Sequence, residues 1–181
     1  MRQIVTAALV VVLCVAASVA GGSGPGSPAK STAAANQYKA LLKAYEEEED
    51  AREFAGRFLQ LALDHPKDAV AVDSLCWIAI HVTRGTELGR ALVLLKQQHL
   101  SSKKLAPVCE ALERKFSLPS EELLRSALAK NPHRNVRTQA CFSLARFLQQ
   151  KVTLRSKLAV QPELKPRFEQ FYGKDFTRLL V

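Results

Sequence analysis

Four cysteines and four histidines are the residues of this 181-residue chain best suited to chemistry, and their spacing withholds it. A dithiol reaction needs two sulfurs within one helical turn, as in Cys-x-x-Cys, whereas Cys14, Cys76, Cys109 and Cys141 stand 32 or more residues apart. His65, His81, His99 and His133 include no pair at i, i+4, the spacing that puts two imidazoles on one helix face, and no Cys–His set has zinc spacing. A Gly-x-Ser-x-Gly elbow is missing. Gly24 followed by Ala29-Lys30-Ser31 approximates a phosphate-binding loop. That loop needs a Gly where Ala29 stands and free backbone N–H groups, and Pro25 and Pro28 remove two of them. Glu121-Glu122 and the run from Glu46 to Asp50 are paired carboxylates in sequence only, at helix ends where capping and solvation explain them. The expectation is a chain that is not an enzyme and holds no cofactor and no metal.

Charge says more than the nucleophiles do. The formal net charge is +9. Residues 21–75 carry six basic and nine acidic side chains, and residues 76–181 carry nineteen and eight, a balance of −3 against +11. Between Glu122 and Glu163 no acid occurs, while Arg125, Lys130, Arg134, Arg137, Arg146, Lys151, Arg155 and Lys157 do. A field of this sign attracts polyanions, so these eight form a candidate basic surface, either a solvated face or a dock for an acidic partner. The aromatic interleaving of a single-strand binder is thin, so nucleic acid is not expected as a partner.

These residues must be carried by helices, because the apolar period is near 3.6 throughout and no period-2 run stands out. Tyr38, Leu41, Leu42 and Tyr45 share a face, as do Phe54, Phe58, Leu61 and Ala62, with the acidic run from Glu46 as helix or hinge between them. Asp64-His65-Pro66 ends this section. Asp68 to Thr83 reads as a buried helix, with Gly85 as its C-cap and Thr86 capping the next, through Leu88, Leu92 and Leu95. Ser101 or Ser102 opens another, with Pro107 in its first turn. Ser117-Leu118-Pro119-Ser120-Glu121-Glu122 is a start signal and Asn131-Pro132 a stop. Val136 to Val152 follows, with Ala140, Cys141, Leu144, Ala145 and Leu148 inward, then a weaker helix from Pro162 to Tyr172 closed by Gly173.

An internal echo favours a repeat array. Ala62-Leu63-x-x-Pro66-x-x-x-Val70 and Leu75-Cys76-Trp77 return 65 or 66 residues later as Ala127-Leu128-x-x-x-Pro132-x-x-x-Val136 and Ala140-Cys141-Phe142. That shift is about twice the period of a helix-pair repeat. Val136-Arg137-x-x-Ala140-Cys141-x-x-Leu144-Ala145 also resembles the second helix of a HEAT repeat. Cys76, Cys109 and Cys141 read as small buried hydrophobes beside Trp77, Val108 and Phe142. The alternative is a Cys76–Cys141 disulfide, since the two positions correspond in the echo and an exported chain permits oxidation.

Export is expected from the N-terminus. Arg2 supplies a positive start, Ile4 to Ala17 is apolar and uncharged, and Ser18-Val19-Ala20 places small residues at −3 and −1 of a cleavage site. The run also approaches the roughly 17–25 residues of a membrane span, so an uncleaved anchor competes. Lipid attachment at Cys14 is disfavoured by Leu13 before it. The organisation expected is a signal peptide over 1–20, a Gly/Ser/Pro-rich flexible linker over 21–35 and a helical-repeat domain over 36–181. Its fold class is all-α, a small right-handed α-solenoid or bundle of about six to seven helices, HEAT- or TPR-like.

The order of motifs resembles the helical region that precedes the catalytic domain in bacterial thioredoxin-like (redoxin) envelope proteins. The matching stretches are Tyr38-Lys39-Ala40-Leu41-Leu42, Phe58-Leu59-x-Leu61-Ala62-x-x-His65-Pro66 and Ala71-Val72-Asp73-Ser74-Leu75-x-Trp77. Leu105-Ala106-Pro107-Val108-Cys109, Asn131-Pro132-His133-Arg134, Pro162-Glu163-Leu164 and Phe171-Tyr172-Gly173-Lys174 follow. In that group a thioredoxin-like domain with redox cysteines comes next, and none of its residues has a counterpart here. The resemblance implies a non-catalytic interaction or spacer module of an envelope redox system, with a thioredoxin-like protein as partner. Two other expectations stand beside it: the detached helical half of an oxidoreductase, and a binder of anionic envelope surfaces.

Overall fold

The computed structural model describes residues 28–48, 50–173 and 180. The expected signal peptide and the first part of the expected linker lie outside the described residues, as does most of the tail after Gly173. Among the described residues there is no strand. Eight α-helices follow one another: α1 (Pro28–Glu48), α2 (Ala51–Asp64), α3 (Ala69–His81), α4 (Thr86–Gln98), α5 (Leu105–Leu112), α6 (Leu118–Lys130), α7 (Arg134–Val160) and α8 (Lys165–Tyr172). A single 3-10 turn, Pro162–Leu164, joins the last two.

Local chemistry sets the helix ends. Asp50 is extended and its carboxylate accepts the Arg52 N–H at 2.9 Å, which starts α2 and ends the acidic run at a corner. Ser117 does the same for α6 by accepting the Ser120 N–H, with Pro119 in the first turn. Asn131 does more than stop α6. It is 2% exposed, its carbonyl accepts the His133 N–H at 2.8 Å, and its amide donates to the Leu100 and Ser102 carbonyls at 2.6 and 3.1 Å. The α6–α7 turn is thereby tied to the α4–α5 connection.

Five expectations are corrected. Residues 28–35 belong to α1 and not to a linker; Ala34 is fully buried, which a solvated linker residue would not be. Gly85 is not the C-cap of α3, because the chain already leaves that helix at Val82 with extended backbone. Gly85 instead N-caps α4 at φ 134°, ψ 171°, a region only glycine occupies without strain. α7 runs on to Val160, since nothing breaks it before Gln161-Pro162, and Leu154 is still buried. Its inward positions are Val136, Ala140, Ser143, Leu144 and Phe147, so Cys141 and Ala145 face solvent. The helices number eight among the described residues, against the six to seven expected.

The packing forms two layers. α1, α3, α5 and α7 neighbour one another in that order in one layer, and α2, α4 and α6 in the other, while consecutive helices from α1 to α4 and from α5 to α7 pair across. Each pair touches only its neighbours, the arrangement a helix-pair repeat produces. At the α1 end the layers are joined by an aromatic cluster. Phe58 stacks on Trp77 at 4.0 Å, Tyr45 meets Trp77 edge-on at 4.9 Å, and Tyr38 meets Phe58 at 5.6 Å. Such pairs contribute about 0.5–1.5 kcal/mol each beyond the apolar area that they bury. Toward the other end Phe116 stacks on Phe147 at 4.9 Å, and Leu105, Cys109 and Leu112 of α5 are fully buried.

Candidate functional site

Cys76 on α3 and Cys109 on α5 are buried, and burial pushes each thiol up to about 12, so neither presents a thiolate. Cys141 on α7 is exposed, not the buried filler expected. All three are free. The Cys76–Cys141 disulfide is not formed, because α5 lies between α3 and α7 and the Cys141 side chain points away from the layer. Among the described residues, no three His, Cys, Asp or Glu side chains come together to hold a metal.

The eight expected basic residues do not form one surface. Arg125 and Lys151 both bond to the carboxylate of Glu121, at 2.7 and 3.4 Å. Glu121 is only 6% exposed, so these two cations neutralise a buried acid. Arg137 donates to the Asn131 and Pro132 carbonyls at 2.9 and 2.8 Å, capping α6. Arg146 sits 3.7 Å from Glu113 and lies over the Phe142 ring. Lys130, Arg134, Arg155 and Lys157 are exposed, but on different turns and flanks.

A different basic cluster does converge, built from segments far apart in sequence. Where α3 hands over to α4, residues 82–85 form a corner whose tip is Arg84. Opposite it, Pro162 ends α7 and turns the chain back through the 3-10 turn into α8. Arg84, Lys157, Leu164, Arg167, Phe168 and Phe171 line the recess between them, about 650 Å³ in volume. A second recess of about 500 Å³ shares Arg84, Phe171 and Tyr172 and extends past Arg114 to the start of α6. Among the described residues no carboxylate lines either one.

The geometry holds these charges outward. The Arg84 guanidinium lies 5.3 Å from the centroid of the Phe171 ring, and Phe171 is 61% exposed. The Lys157 ammonium lies 6.0 Å from the Phe168 ring. A cation over an aromatic face is held in place while keeping its donors free. None of Arg84, Lys157 and Arg167 has a carboxylate partner among the described residues. The floor is stiff. Lys115 donates to the carbonyls of Ala79, Ile80 and Val82, at 2.9 Å and 2.7 Å for the last two, and so caps α3 directly beneath the corner. Burial lowers its ammonium to about 8. Phe116 and Tyr172, 5.6 Å apart, fix α8 against the core.

Among the described residues that line the two recesses there is no cysteine, histidine or carboxylate. Arg84, Lys157 and Arg167 stand with the exposed Phe171 ring and the partly buried Phe168 ring in an open groove, a setting that would accommodate a carboxylate carried beside an apolar or aromatic group. Of the expected basic residues only Lys157 belongs to it. Arg84 and Arg167 were missed, although the basic and aromatic run Lys165-Pro166-Arg167-Phe168, closing an acid-poor stretch, was a visible signal. Comparison with family models, curated proteins and solved structures finds no match to this chain.

Proposed function

We propose that this chain is a non-catalytic, exported helical-repeat module that binds an acidic protein segment in the groove between the α3–α4 corner and α8. The observation that carries the reading is the convergence of Arg84, Lys157 and Arg167 around the exposed Phe171 ring with no carboxylate among them. Three unpaired cations in one recess repel each other and gain most from an anionic occupant. An open groove suits an extended segment. The part of the reading that concerns export rests on Arg2, the apolar run and Ser18-Val19-Ala20. The redoxin resemblance makes a thioredoxin-like chain the first place to seek the partner.

The test is a titration of a labelled Glu-rich peptide carrying one Trp, followed by fluorescence anisotropy. Binding is expected to weaken with salt, because screening shortens the reach of these charges to about 3 Å at 1 M. Arg84→Ala with Arg167→Ala should lower affinity at least tenfold. Equal binding by wild type and variant sinks the reading. So does binding to anionic phosphatidylglycerol vesicles without binding to the peptide, which would make the groove a membrane contact. Among the described residues no helix is long and apolar enough to cross a membrane.

A further inference from the structure

The same edge of the molecule that carries the groove carries its electrostatic opposite. Helix α1 ends and α2 begins in an acidic corner where Glu46, Glu47, Glu48, Asp50 and Glu53 are all exposed. None of the five has an ion-pair partner among the described residues. This corner lies on the groove's edge because a shallow recess lined by Arg52, Ala55, Val82, Arg84, Gly85 and Glu87 connects the start of α2 to the α3–α4 corner. Tyr45, near the end of α1, meets Phe54 at 5.9 Å and Trp77 at 4.9 Å and so ties α1 to α2 and α3. Unpaired acids and unpaired bases thus sit side by side on one edge, held apart by the fold.

Resting on the reading of the groove as a binding surface, we infer that its occupant is a second copy of this chain, the acidic α1–α2 corner of one copy seated on Arg84, Lys157 and Arg167 of the other. A twofold axis through this edge places each acidic corner against the other copy's groove, so both contacts form at once and the assembly closes as a dimer. Like charges are then kept apart, which sets the antiparallel register. The exposed Phe171 ring, beside Arg84, is covered in the same contact.

Sedimentation velocity of the mature chain across concentration and salt tests this. A concentration-dependent dimer at low salt that dissociates in 1 M NaCl is expected. Glu47→Lys with Glu48→Lys, and separately Arg84→Glu with Arg167→Glu, should each weaken dimerisation more than tenfold, with circular dichroism unchanged. Mixing the two variants should restore a dimer, because the reversed corner fits the reversed groove in one contact and the unchanged corner fits the unchanged groove in the other. A wild type that stays monomeric, variants that dimerise like wild type, or open-ended growth beyond a dimer each overturn the inference. A monomer that still binds the Glu-rich peptide through Arg84 and Arg167 removes the second copy and leaves the groove reading standing. A monomer that binds no peptide removes both.

Discussion

Trp77 and the three thiols show how burial decides what a reactive residue type does. Trp77 is 5% exposed and touches rings from α1 and α2, so Trp77→Ala removes the contact that joins the two layers. A loss of roughly 3–5 kcal/mol is expected, read as a lower chemical-denaturation midpoint. The thiols divide: Cys141 should react quickly with a thiol reagent in the native state, whereas Cys76 and Cys109, held up to about 12, should react only on unfolding. Counts of one thiol native and three unfolded would agree for the chain cleaved after Ala20. Three fast native thiols would not. Histidines add a pH dependence. Burial, and for His81 also Lys115, lowers His81 and His99 below the ordinary 6.5, so both are neutral in the folded chain where the unfolded chain takes a proton. Their contribution is fully present above pH 6.5 and is lost as pH falls through the folded values. Denaturation midpoints should therefore fall from pH 7.5 to pH 5, and less so when both residues are Gln.

At the scale of elements, the connections carry as much as the helices. Asn131 serves the Leu100 and Ser102 carbonyls and the His133 N–H together, so Asn131→Ala leaves buried polar groups without partners. A cost of roughly 1–3 kcal/mol per orphaned group is expected, and a midpoint within error of wild type would contradict the tie. Its role as a stop was legible in Asn131-Pro132, but its contact with residues 29 and 31 positions earlier was not, because nothing local encodes it. The caps at Asp50 and Ser117 involve neighbours only; Ser117 was read directly and Asp50 only as part of an acidic stretch. Gly85 was misread for a physical reason: a positive-φ glycine serves either end of a helix, and only the early exit of α3 at Val82 decides which. The length of α7 was hidden because Gln149 to Val160 contains no breaker and little apolar periodicity to mark burial.

Across the whole molecule, the all-α class was legible in the apolar period; the 65- to 66-residue echo aligns α2–α3 with α6–α7, but it matches the buried Cys76 and Trp77 to the exposed Cys141 and Phe142. The charge asymmetry was legible as a sum and misleading as a map. Glu121, on the same helix as Arg125, and Glu113, at the end of α5, engage three of the eight basic residues, while the convergent cluster draws Arg84 from the α3–α4 corner and Arg167 from α8. Surfaces made by distant segments cannot be read before the layers are assembled. The groove is nevertheless the feature on which the proposed function depends, and amide chemical shifts report on it residue by residue. In a titration of the isotopically labelled chain with the Glu-rich, Trp-bearing peptide, shifts are predicted to concentrate at Thr83 to Gly89, at Lys157 and from Leu164 to Tyr172. Shifts centred instead on the outer flanks of α7 around Arg134 and Arg155, or absent at saturating peptide, would contradict it.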